Sequence, residues 1–188
     1  MDNYNVYHCH SDISNLTAGT GADSITKYTD YLDKAQSLGM QSIGFSEHGS
    51  VMSWIDKKKA TESRGMKYMH GNEVYLTKTL DEKIRDNYHY IMYARNYEGV
   101  KELNKLTSDS FNREDGHFYY NPRITFDELK GTSDNIIMTS ACLASPLWRM
   151  YNEAYNSKFE TNKSIERELD DLLNWMGDNK NRMFLKYN

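Results

Sequence analysis

The sequence predicts an α/β fold in which parallel strands are covered by helices, either a barrel or a doubly wound sheet. Three observations carry that prediction. Short apolar runs rich in Ile, Tyr, Val and Met alternate along the chain with longer segments of helical period. Glycines stand where the helical patterns stop, at Gly39 and Gly65. Histidine, glutamate and cysteine gather at the ends of the strand-like runs, where the functional groups of parallel α/β folds collect. With 188 residues, 38% hydrophobic and 13% aromatic, the chain has the material for one core of ordinary domain size.

The first strand ends in "HCHSD", residues 8–12. Alternate strand residues share a face, so His8 and His10 project together and Cys9 points the other way. The spacing predicts a helix over 25–38, capped by Asp23 or Ser24, with Ile25, Tyr28, Leu32, Ala35 and Leu38 as its apolar stripe. A strand "QSIGFS", a helix over 51–64 and one or two strands in "MKYMHGNEVYL" follow. Then come a strand "HYIMYA", a helix over 98–111, a strand "NIIMTS", helices over 145–156 and 164–176, and a last strand in "RMFLKYN". The stretch "REDGHFYYNPRITFDEL" reads as a connecting loop with a short helix at 125–129.

Composition narrows the function. A formal charge of -4, from 23 Lys and Arg against 27 Asp and Glu, gives no global basic field. That still admits a nucleic-acid enzyme, because bound cations can receive phosphate while the surface stays acidic. Two cysteines without a CxxC spacing fit a reducing cytosol. No basic-then-apolar leader and no apolar run of spanning length is present, so a cytoplasmic chain without a membrane partner is expected.

The strand-end residues are His8 and His10, Glu47 and His48 in "SEHG", Glu73 in "HGNE" and Cys142 in "TSAC". Each type has an ordinary structural use: His48 can cap the next helix, Glu73 can be a surface strand residue, and Cys142 can be a small buried hydrophobe. Together they are the donor types of Zn²⁺, Mn²⁺ or Fe²⁺, in numbers that suit more than one ion. His70 and His117 read as non-ligands.

The order HxH, then EHG after the second strand, then GNE after the third, resembles the PHP (polymerase and histidinol phosphatase) domain family. Within it the chain is most similar to the PHP domain of bacterial or phage DNA polymerase III alpha subunits, through "HCHSDIS", "GMQSIGFSEHGSV", "GMKYMHGNEVYL", "YHYIMYARNYEGVKELNKL", "FYYNPRITFDEL" and "TSACLAS". The resemblance implies a distorted (β/α)7 barrel, most of it within residues 1–188, with the closing strands and the polymerase domains outside this chain. It also brings in His89, which leads "HYIMYA", as a ligand. The implied ligands are then His8, His10, His48, Glu73, His89 and Cys142, for two or three divalent ions (Zn, Mn, Fe or Mg) in a complete site, with Glu47 as an orienting residue behind them.

The chain departs from the family pattern in two places. An aspartate and glycine expected in the first motif read Thr17 and Ala18, so that ligand is either lost or supplied by Asp23 after a small insertion. Asp12 is a separate candidate, on the face of His10 only if the strand persists that far. The family's final DxH has no counterpart in residues 1–188 and is expected beyond Asn188. The implied function is metal-dependent phosphoester hydrolysis, including 3′-to-5′ exonuclease action on a DNA 3′ end. The remaining polymerase domains are expected in cis or as a split partner, in the host cytoplasm if the gene is phage-borne, and this chain alone is expected to be a weak nuclease. The alternatives are an inactive module that braces the polymerase and, less favoured, a free-standing small-molecule phosphatase.

Overall fold

The computed structural model describes residues 4–17, 22–155 and 162–185. Its strands are β1 (Ser42–His48), β2 (Lys67–Thr77), β3 (Tyr88–Ala94), β4 (Phe118–Tyr119), β5 (Asn121–Thr125), β6 (Ile136–Thr139) and β7 (Met183–Phe184). Its helices are α1 (Tyr28–Ser37), α2 (Trp54–Glu62), α3 (Tyr97–Ser110), α4 (Phe126–Lys130), α5 (Pro146–Tyr155) and α6 (Lys163–Asp178), with a 3-10 helix at Asp12–Leu16. Among the described residues, no helix is long and apolar enough to cross a membrane.

The strands form one mixed sheet in the order β4-β5-β2-β3-β6-β7, with β1 also paired to β2. The sheet is open among the described residues, so the α/β class holds at the level of a mixed sheet with helices. The expectation of parallel strands throughout needs correcting. β1 and β5 run parallel to β2, and β7 to β6, but β3 is antiparallel to both β2 and β6. The reason is the connection: residues 78–87 contain no helix, and a short irregular link reverses the chain more readily than it crosses back over the sheet. The stretch read as a loop instead forms β4 and β5, turning at Tyr120 with a φ of 61°. A capping box at Thr125 and Glu128 then opens α4.

The N-terminal strand is reduced to a single parallel bridge, Cys9 to Phe45. It nevertheless lies flat along β1, with Gly44 donating to the Val6 carbonyl at 2.9 Å and Ser46 to the Cys9 carbonyl at 3.2 Å. Gly44 permits this approach, since a Cβ there would stand 2.3 Å from the Tyr7 carbonyl oxygen. The final predicted strand survives as β7; residues 186–188 and Ala18 lie outside the described residues.

Strand alternation divides the sheet into two faces. Val74 and Leu76 of β2, Tyr90 and Met92 of β3 and Ile136 and Met138 of β6 point at the helices, where Leu103, Leu129, Met150, Leu169 and Leu172 complete the main core. Cys9, Ile43 and Phe45 do the same under α1 with Leu32 and Ala35. The opposite face carries His8, His10, His48, Glu73 and His89.

Candidate metal centre

Register brings the ligand-type residues together. His48, the last residue of β1, pairs directly with Glu73 across the parallel β1·β2 ladder. Two residues further along the same face of β2, Tyr75 pairs with His89 of β3. The N-terminal segment adds His8 and His10 on the face opposite Cys9, whose side chain is buried in the α1 cluster. His89 eludes a strand-end rule built for parallel strands because β3 is antiparallel: its first residues, not its last, lie at the end where β1 and β2 finish.

Glu73 is the centre. It is 2% exposed, and each carboxylate oxygen faces a different pair of imidazoles. Oε2 lies 2.6 Å from His8 Nε2 and 3.2 Å from His10 Nε2. Oε1 lies 2.6 Å from His89 Nδ1 and 3.6 Å from His48 Nδ1. The rings pack together, His10 stacking on His48 with centroids 4.2 Å apart. On its outer side His48 presents Nε2 to Asp23 Oδ2 at 3.2 Å. Among the described residues, three groups therefore have donor atoms close enough to share an ion: His8, His10 and Glu73; His48, Glu73 and His89; and His10, Asp23 and His48.

The electrostatics follow from burial and contact. Burial would raise the Glu73 carboxyl, but hydrogen bonds with His10, His8 and His89 outweigh it and hold the group well below the ordinary carboxylate range. His89 is lowered by burial, yet its contacts with Cys142 and Glu73 prevail and push it up to about 9. Cys142 Sγ lies 3.9 Å from His89 Nδ1, and this contact lowers the thiol below its usual value, against a smaller effect of burial. His48 is lowered, chiefly by burial.

The remaining sequence candidates divide between the cluster and other places. Asp12 joins none of the three groups: the chain turns into the 3-10 helix at that residue, and its N–H bonds to the Thr26 carbonyl at 3.0 Å. Asp23 reaches the cluster, with its side chain 40% exposed. Glu47 lies on the helix-covered face. Its oxygens receive Ser11 N–H (2.9 Å), the hydroxyls of Ser11 and Ser14, and Lys57 Nζ (2.6 Å). These four donors use its accepting positions, so it is not free to hold an ion. His70 is buried against Asn104 and lowered to about 4 by that burial, and His117 bridges Asp115 and Glu128. Ser14 and Lys57 carried no sequence signal, since a serine in a turn and a lysine on a charged helix are both commonplace.

The chain is similar to known proteins along most of its length. The model of the PHP domain matches residues 7–187. The chain is 36% identical over 149 residues to the DNA polymerase III subunit alpha of Borreliella burgdorferi, an alignment covering 76% of this chain and 12% of that protein. It is 31% identical to the same subunit of Chlamydia pneumoniae, covering 73% and 11%, and of Aquifex aeolicus, covering 72% and 12%. The chain thus spans about an eighth of the length of the curated relatives it matches. A crystal structure from Bifidobacterium adolescentis, provisionally assigned as a metal-dependent phosphoesterase, aligns over 56% of this chain and 32% of its own at 15% identity and a TM-score of 0.38. At that score the likeness supports no argument.

Proposed function

Because the chain belongs to the PHP domain family, we propose that residues 1–188 form the PHP domain of a DNA polymerase III alpha-type protein of the cytoplasmic replication machinery. We propose further that the domain holds divalent cations for phosphoester hydrolysis, including nucleotide removal from a DNA 3′ end, and that its open sheet is most of a (β/α)7 barrel. One observation carries the reading: a single buried carboxylate, Glu73, turns one oxygen to His8 and His10 and the other to His48 and His89.

The residues fit such ions. Among the described residues, His48 Nδ1 is buried and has no hydrogen-bond partner, a costly arrangement unless something else occupies that lone pair. A neutral imidazole has one lone pair, so His48 serves either the Glu73 side through Nδ1 or the Asp23 side through Nε2. Imidazole, carboxylate and thiolate donors favour Zn, Mn or Fe over Mg. When bound, such ions lower the pKa of water and offset charge on phosphate oxygens. The chain's own contribution is to hold two ligand sets at the spacing of one carboxylate and, through the exposed Asp23, to leave one side open to substrate. Cys142 adds a soft donor beside His89.

Elemental analysis of untagged protein should find Zn, Mn or Fe near stoichiometric levels, and a His8→Ala, His10→Ala double variant should lose most of it. Full metal content in that variant sinks the assignment. Nucleotide release from the 3′ end of single-stranded DNA with added Mn²⁺, lost in His48→Ala, supports hydrolysis; metal bound without any release supports the bracing module.

A further inference from the structure

The hydroxyl of Ser14 is fully buried, and its three partners determine where every proton on it lies. The Ser14 hydroxyl is 2.5 Å from Glu47 Oε2. Glu47 also receives the Ser11 N–H, the Ser11 hydroxyl and the Lys57 ammonium, so it is a carboxylate and can only accept. Ser14 must therefore donate its one proton to Glu47. The backbone N–H of His48 donates to Ser14 Oγ at 3.2 Å. One lone pair remains on Oγ, and His10 Nδ1 lies 3.1 Å away. That nitrogen carries the proton, which leaves the opposite nitrogen, Nε2, to face Glu73 and His8 Nε2.

We propose that Lys57, Glu47 and Ser14 form a relay that locks His10 in its Nδ1–H tautomer, so that its Nε2 lone pair is presented to the ion held with His8 and Glu73. The proposal rests on the metal-binding reading above and adds Ser14 and Lys57 as positioning residues. Metal-binding imidazoles commonly need an acceptor on the other ring nitrogen to fix ring and tautomer. Here the acceptor is a neutral hydroxyl, and its direction is set by a buried carboxylate. Lys57, 1% exposed and 5.2 Å from the centre of the Phe45 ring, is the charge that keeps the carboxylate ionised away from water. The relay spans the sheet: Lys57 and Glu47 stand on the helix side, His10 on the ligand side, and the turn at Ser11–Ser14 joins them.

Ser11 supplies the nearest comparison, because its hydroxyl bonds to the same carboxylate while the hydroxyl that meets the His10 ring is that of Ser14. Zn²⁺ affinity by chelator competition should fall roughly 10- to 100-fold in Ser14→Ala, stay within about threefold of wild type in Ser11→Ala, and recover in Ser14→Thr, which restores the hydroxyl. Ring-nitrogen NMR of the Zn²⁺-loaded chain should show His10 protonated at Nδ1 in wild type and Ser11→Ala, and altered in Ser14→Ala. Equal losses in Ser11→Ala and Ser14→Ala, or an unchanged His10 signature in Ser14→Ala, overturn the relay. If wild type takes up no Zn²⁺, the metal reading fails, and the relay is decided by whether Ser14→Ala changes the His10 ring signature in the metal-free chain.

Discussion

Glu47 and Glu73 stand one position out of step on adjacent strands, Glu47 pairing with Asn72 and His48 with Glu73. Both are almost inaccessible, at 1% and 2%. That one-residue offset turns them to opposite faces of the sheet, and each face neutralises its carboxylate differently. Glu47 meets a lysine and three hydrogen-bond donors from serines; these lower its carboxyl below the ordinary value despite burial. Burial lowers Lys57 too, against the stabilising charge of Glu47. Among the described residues, Glu73 pairs with imidazoles, which can take up a proton, release it, or give a lone pair to a cation. A carboxylate closed by fixed donors has no accepting position left for a cation, whereas one surrounded by titratable donors can share one.

The comparison breaks most visibly at Glu47. Glu47→Gln strands a buried ammonium and should cost about 3–5 kcal/mol of folding stability, read by urea denaturation in chelator. Glu73→Gln should cost much less in the same measurement, about 1 kcal/mol, because its histidines can discharge. Equal losses would erase the distinction. Metal binding should respond in the opposite order: Glu73→Gln should weaken Zn²⁺ binding at least about 100-fold, equivalent to about 2.7 kcal/mol.

The pH dependence sharpens the same contrast. In metal-free protein His89 is held above its ordinary value by Cys142 and Glu73. A raised imidazole contributes stability that is fully present below its unfolded pKa of about 6.5 and lost as pH rises through about 9. The stability difference between wild type and His89→Gln in chelator should accordingly shrink across that window. Metal-loaded protein should show no such decline, since ligands release protons to bind a cation and binding tightens with pH. A difference independent of pH would mean that the imidazole is not charged against Glu73. The smallest effect belongs to Asp23→Asn: the side chain is 40% exposed, so Zn²⁺ affinity should change only a fewfold, within about 1 kcal/mol. A loss as large as that of Glu73→Gln would move the centre of the site outward.

Read alone, the sequence determined the α/β class, most element positions, and the shared face of His8 and His10, because hydrophobic period and the two-residue strand repeat are local properties. His8 and His10 share a face while Cys9 enters the core for that reason alone. Tertiary structure decided what depends on chain direction and register. His89 reaches the cluster because the helix-free link at 78–87 makes β3 antiparallel, so its leading end meets the trailing ends of β1 and β2. The residues around Tyr120 became strands because β2 is long enough to pair with β1 over its first half and β5 over its last residues, which no local pattern announces. Asp23 rather than Asp12 faces His48 because the chain leaves the strand direction at the 3-10 helix. Lys57, on the face of a charged helix, became the buried partner of Glu47 because α2 packs on that side of the sheet; a charge's environment is set by what folds over it.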